Sequence, residues 1–199
     1  MEKWVGKLAV VTGASAGIGA AIVRDFAKAG INVGGLARRV ENIEAIRGDL
    51  GKTPGKVYAY KCDVSDLQSV KSAFAWIESK FGSIQILVNN AGIGKNVSIL
   101  CDDDDVDESL KQIIDTNFTG LVQTTRQAYK LMKKSDDYGY IININSILGH
   151  VLPFPTDEVS RSNVYSGTKH AVTATTEILR QELICMKNNK IRVSVSNSI

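Results

Sequence analysis

Apolar runs of strand length alternate along the chain with longer segments in which apolar residues recur at helical spacing. The short runs predict strands over residues 8–11, 32–36, 57–60, 85–88, 140–145 and 191–196. Amphipathic periodicity predicts helices between them, over residues 17–29, 40–50, 67–81, 106–134 and 164–187. Strand and helix in alternation form right-handed crossover units, which build a parallel sheet covered by helices on both faces. The expected fold class is therefore α/β, a doubly wound parallel sheet of six strands, as one domain over residues 1–199.

Composition narrows the function classes. With 199 residues, 44% hydrophobic and 23% charged, the chain has enough apolar side chain for a sizeable core and is neither disordered nor collagen-like. The net charge of +3 is dispersed, its longest basic clusters being pairs such as Arg38-Arg39 and Lys133-Lys134, so no nucleic-acid partner is expected. Residues 1–7 are charged and lack the apolar stretch of a secretory signal, and no segment reads as transmembrane. Cys62, Cys101 and Cys185 are widely spaced, with no CxxC pair or histidine cluster, which predicts reduced thiols in the cytoplasm and no metal site. The acidic run 102–105 precedes a predicted helix, where negative charge complements the helix dipole, and it reads as a solvated cap.

Directly after the first strand comes Thr12-Gly13-Ala14-Ser15-Ala16-Gly17-Ile18-Gly19, followed by a good helix start at Ala20. Glycines let a backbone turn tightly against a pyrophosphate, and the unpaired N–H groups of the helix start favour the anion. The spacing is GxxxGxG, not GxGxxG, and alone it would signal only a tight turn; its place between strand and helix makes it a dinucleotide-binding candidate of Rossmann type. Gly13, Ser15, Gly17, Ile18 and Gly19 are its candidate binding residues. After the second strand stand Ala37-Arg38-Arg39. An acidic residue there would accept from a ribose 2′-hydroxyl, whereas arginine grips a 2′-phosphate, so the expected cofactor is NADP(H).

Tyr165-Ser166-Gly167-Thr168-Lys169 opens the last predicted helix, and i, i+4 spacing puts Tyr165 and Lys169 on one face. A phenol titrates near about 10, and a neighbouring ammonium favours its ionised form, which makes Tyr165 an acid/base candidate. Hydride transfer requires a proton at the substrate oxygen, and Ser146, closing the fifth strand, is placed to bond the same oxygen. Asn117 interrupts a helical pattern with a middling helix former, either satisfied locally or held for the site. His150 and His170 receive no role.

Together these motifs resemble the short-chain dehydrogenase/reductase family over the whole chain: TGxxxGxG, Asp63-Val64 after the third strand, Asn89-Asn90-Ala91-Gly92 after the fourth, then Ser146 and YxxxK. The resemblance implies an oxidoreductase with a catalytic tetrad of Asn117, Ser146, Tyr165 and Lys169, in which the asparagine supports a proton-relay water behind the lysine. It further implies contacts to the cofactor from Asp63, Val64, Asn90, Ala91, Gly92, Tyr165 and Lys169, contacts to substrate from Ser146 and Tyr165, and a homo-oligomer. Ala16 departs from those NADP-preferring members that carry a basic residue in the turn, so selectivity would rest on Arg38 and Arg39. Residues 4–21 and 141–153 look most like the group containing insect farnesol dehydrogenases and the eleventh dehydrogenase/reductase member of vertebrates. That implies a lipophilic alcohol or ketone as small-molecule substrate.

The family continues past the sixth strand with a Pro-Gly turn, lid helices and a seventh strand, and the chain is expected to be C-terminally incomplete by that segment. A silent NADP-binding homologue that pairs with full-length relatives is the alternative function. A nucleotide-sugar epimerase also uses YxxxK but favours GxxGxxG, which residues 12–19 do not match.

Overall fold

The computed structural model describes residues 2–100, 102, 105–152 and 163–198. Six strands, β1 (Leu8–Thr12), β2 (Asn32–Ala37), β3 (Val57–Lys61), β4 (Ile86–Asn89), β5 (Gly139–Ser146) and β6 (Ile191–Ser198), form one sheet in the order β3-β2-β1-β4-β5-β6. Every pairing is parallel. The predicted strands are all present, each within two residues of its expected ends.

The helices are α1 (Gly17–Lys28), α2 (Val40–Leu50), α3 (Leu67–Phe81), α4 (Val106–Ile114), α5 (Gly120–Met132) and α6 (Asn163–Cys185). Successive strand residues point to opposite faces, so β1 feeds two cores. Leu8 and Val10 join Val70, Phe74, Ile77, Leu131 and Ile141 in one. Ala9 and Val11 join Val23, Ala27, Ile43 and Ile46 in the other. β1 is buried on both sides, as a central strand of a doubly wound sheet must be.

Local chemistry sets the helix ends. The Asp66 carboxylate accepts from the backbone N–H groups of Gln68 and Ser69 at 3.0 and 3.1 Å, and Gly82 at φ 77° ends the helix that follows. Both α2 and α3 have the predicted bounds. Beyond α6, Lys187 takes φ 52°, with Lys187 N–H donating to Ile184 O and Asn188 N–H to Leu183 O, the paired bonds of a Schellman end. A side chain in this left-handed region is strained. Lys187→Gly is expected to stabilise the fold by about 0.5–1 kcal/mol, read as a higher midpoint in urea denaturation; an unchanged or lower midpoint would refute the strain.

One helix differs from expectation. The predicted continuous helix over 106–134 is interrupted by a π-helical stretch, Asp115–Thr119, centred on the buried Asn117. The cause is a long-range pairing: Asn117 Oδ1 accepts from Ile93 N–H at 2.8 Å, and its Nδ2 donates to Ile93 O at 2.9 Å. Just beyond, a Cβ on Gly120 would lie 2.8 Å from Val64 O, so only glycine admits this close approach. At the start of α4, Asp107 and Glu108 occupy the first turn, while Asp105 makes no side-chain cap bond. Residues 103 and 104 of the acidic run lie outside the described residues. Among the described residues no helix is long and apolar enough to cross a membrane, and no group of three or more metal-ligand side chains occurs.

Candidate active site

The strand order reverses direction between β1 and β4, and the crevice outside their C-terminal ends is where doubly wound sheets bind ligands. A cleft of about 480 Å³ opens there, lined by the predicted cofactor residues Gly13, Ser15, Gly17, Ile18, Arg38, Arg39, Asp63, Val64, Asn90, Ala91 and Gly92. Ala16, Ala37, Cys62, Ile93 and Thr116 complete its wall. Each of these five is a sequence neighbour of a motif residue, and that adjacency was the available signal. Burial pushes the Cys62 thiol up to about 11, so it is a protonated, unreactive wall residue at neutral pH.

Gly17 needs its glycine for conformation, at φ 54° with open space where a Cβ would point. Gly19 needs it for space, because a Cβ there would overlap Asn90 Nδ2 and the Gly13 carbonyl. Gly19 therefore packs beneath the turn and does not line the cleft. The N-cap of α1, Ala16, offers no side-chain bond, which leaves the first N–H groups of the helix for an anion.

The turn is braced from β4. Thr12 Oγ1 accepts from the N–H groups of Asn90 and Ala91, both at 3.0 Å. Asn90 Nδ2 in turn donates to the carbonyls of Thr12 and Gly13 at 2.9 and 3.2 Å. The Asn90 side chain thus spends its amide on holding two loops together, while the residue still lines the cleft. Asp63 is similarly engaged: its Oδ1 accepts from Ser65 N–H and Ser65 Oγ at 3.0 and 2.6 Å. Arg38 and Arg39 are exposed at the end of β2, with Arg39 at the N-cap of α2.

Beside this cleft three of the four predicted catalytic side chains converge. Lys169 is buried, donates from Nζ to the Ile144 carbonyl at 2.9 Å, and lies 5.7 Å from the centre of the Tyr165 ring. Burial holds its ammonium below the ordinary lysine range. A Cβ built on Gly92 would stand 3.4 Å from Asn117 Oδ1 and 3.9 Å from Lys169 Nζ, so both groups meet at the cleft wall. One on Gly94 would touch Tyr165 Cδ2 at 3.8 Å. Ser146 ends β5 two residues after Ile144, with its Oγ accepting from Leu148 N–H at 3.2 Å across the short 3-10 turn Ile147–Gly149. His150 pairs with Asn197 and His170 with the Ser166 carbonyl.

Two supporting features were not read from the sequence. Asn163 caps α6 by accepting from Tyr165 N–H at 3.0 Å and donates to Lys95 O at 2.9 Å. Behind the site, a buried polar spine crosses the sheet. Asn89 Nδ2 donates to Thr125 Oγ1 and Asn143 Oδ1 at 2.8 and 2.9 Å, Thr124 Oγ1 donates to Asn89 Oδ1 at 2.7 Å, and Asn143 Nδ2 donates to Thr176 Oγ1 at 2.9 Å. The alternation Asn143, Asn145 within an apolar strand was the signal for it.

The family model described as short chain dehydrogenase matches residues 7–197. The chain is 47% identical over 199 residues to the farnesol dehydrogenase of Aedes aegypti, covering 99% of this chain and 77% of that enzyme. It is 42% identical over 187 residues to human dehydrogenase/reductase SDR family member 11, covering 92% of this chain and 69% of that protein. Among solved structures, a metagenomic short-chain oxidoreductase in complex with NADP superposes with a TM-score of 0.82 at 28% identity, covering 98% of this chain and 83% of that one. The strand order, the cleft at its switch point and these matches place the chain in the short-chain dehydrogenase/reductase family, and it is an oxidoreductase of that family.

Proposed function

We propose that the chain transfers a hydride between NADP(H) and the alcohol or carbonyl carbon of a lipophilic small molecule, as a soluble cytoplasmic homo-oligomer. The observation that carries this reading is the convergence of Tyr165, Lys169 and Asn117 beside the glycine-lined cleft, with Asn117 and Lys169 meeting behind its Gly92. The cleft fits a dinucleotide in volume, in its uncapped helix start and in the arginine pair at its rim. When bound, the nicotinamide supplies or accepts the hydride.

The chain's own residues do the rest. Gly13, Ser15, Gly17, Ile18 and Gly19 form the pyrophosphate turn, and Asp63, Val64, Asn90, Ala91 and Gly92 form the opposite wall or brace it. Tyr165 gives a proton to the substrate oxygen in reduction and takes it in oxidation, while the Ser146 hydroxyl bonds the same oxygen. Lys169 lies beside the Tyr165 ring and keeps two protons free after its bond to Ile144 to hold the nicotinamide ribose. Asn117 anchors the wall behind the lysine.

A lipophilic substrate is supported by the segment after Ser146, where Ile147, Val151 and Leu152 are 47%, 54% and 66% exposed at the sheet edge that bears the site. The similarity to an enzyme named for farnesol agrees with it. The exposed Ile178, Ile184 and Met186 of α6 and its end support the homo-oligomer.

The cofactor is tested at Arg38. NADP(H) is expected to bind more tightly than NAD(H), and Arg38→Asp to weaken NADP(H) by about 10- to 100-fold, the value of a lost charge-assisted bond, while sparing or improving NAD(H). Fluorescence titration of both cofactors on both proteins decides it. Equal affinities in the unmodified protein would sink the assignment.

A further inference from the structure

We propose that Thr168 is a positioning residue of the hydride-transfer reaction, fixing Asn117 against the helical turn that carries Tyr165 and Lys169. The inference rests on the acid–base reading of Tyr165 and extends it to a residue outside the four expected to act.

Thr168 is buried, and its hydroxyl makes two bonds of opposite sense. Oγ1 donates to the Tyr165 carbonyl at 2.7 Å and accepts from Asn117 Nδ2 at 3.2 Å. A threonine back-bonding to its own helix is common and would by itself mean little. Here the single hydroxyl proton is spent on Tyr165, so toward Asn117 the oxygen can only accept, and what faces it must be an N–H. That requirement agrees with Ile93, whose N–H and carbonyl demand the same orientation of the Asn117 amide. The amide is therefore held at three points by two separate pieces of chain. Ile93 fixes it to the segment after β4, and Thr168 fixes it to α6.

The link spans the joint where the site is assembled. On one side stands the π-helical stretch, and on the other the first turns of α6. Asn117 Oδ1 and Lys169 Nζ meet at Gly92, so their spacing depends on the register between these two elements, and Thr168 is the side chain that bonds one to the other. Valine at this position keeps the shape, removes the hydroxyl and leaves a buried amide proton of Asn117 without an acceptor. The stretch is then free to shift relative to Tyr165 and Lys169. Displacements well under an ångström at reacting groups lower turnover without abolishing binding.

The test compares Thr168→Val and Thr168→Ser with the unmodified protein, using NADPH and a lipophilic ketone, with Tyr165→Phe measured alongside. Thr168→Val is expected to lower kcat on the order of 10-fold, to leave the KM for NADPH unchanged and to move the pH dependence of kcat. Thr168→Ser, which retains the hydroxyl, is expected to restore both. Where the valine variant does not fold, Thr168→Ala takes its place against the same serine control. A kcat and pH profile unchanged in the valine variant would overturn the proposal, even with a lowered melting temperature, and so would a serine variant as impaired as valine. If Tyr165→Phe keeps full activity, the reading of the site fails and the role of Thr168 falls with it. If Tyr165→Phe is inactive while Thr168→Val is unaffected, only the role of Thr168 fails.

Discussion

Tyr165→Phe is expected to lower kcat by at least about 100-fold, the scale of a lost acid/base group, equivalent to about 2.7 kcal/mol on the barrier. The substitution removes one oxygen and little else. The ring keeps its place against Gly94, the bond from Lys169 to the Ile144 carbonyl does not involve the phenol, and Tyr165 is not among the side chains that line the dinucleotide cleft. Cofactor affinity should therefore be unchanged while turnover collapses. Steady-state kinetics with farnesol or a lipophilic ketone, together with an NADPH titration, separate the two effects. Undiminished turnover would leave Tyr165 no part in the reaction.

The second large effect concerns stability. Asn143→Leu is expected to cost about 2–4 kcal/mol, because it replaces the centre of the polar spine with a group that can neither accept nor donate. Asn143 is fully buried, and both ends of its carboxamide are used, one accepting from Asn89 and the other donating to Thr176. Leucine has the branched outline of asparagine and leaves no cavity, so the penalty comes chiefly from the stranded polar groups of Asn89 and Thr176. Thr176→Val trims only the end of the spine and should cost about 1 kcal/mol. Thermal unfolding followed by circular dichroism should show the Asn143 variant melting roughly 4–16 °C lower. A melting temperature unaltered by Asn143→Leu would show that these hydrogen bonds have no net worth.

The parts of the fold legible in the sequence were those governed by local patterns. Alternation of apolar runs located every strand, and α2 and α3 ended where predicted because Asp66, Gly51 and Gly82 mark their boundaries within a residue or two. The glycine turn was equally plain, since its conformational demands fall on the glycines themselves.

What escaped depends on partners distant in sequence. Apolar residues from Val106 through Ile113, Leu121, Ala128 and Leu131 keep a nearly helical spacing across residues 115–119, so periodicity gave no mark of the π-helical stretch; its cause, Ile93, lies 24 residues from Asn117. The Asn89-Asn90 pair read as a motif, yet nothing local assigns Asn89 to the sheet interior and Asn90 to a brace between loops. Asn143 and Asn145 stood visibly in an apolar strand, but the four threonines that bond them and Asn89 come from α5 and α6.

The wide turn at Asp115–Thr119 also changes how this part of the chain tolerates a change in length. A turn closed i→i+5 holds one residue more than a turn closed i→i+4, so α5 runs one position ahead of the count that an unbroken helix from Val106 would give. Losing one residue inside the stretch heals the rod into a continuous α-helix with Leu121, Thr124 and Ala128 still turned toward the sheet. Losing one residue within α5 itself rotates everything beyond it by about 100° and carries the later core positions, Leu131 among them, off their face. A single-codon deletion is thus expected to divide into two kinds a few residues apart: one that removes the wide turn around Asn117 and keeps the register of α5 with the sheet, and one that breaks that register.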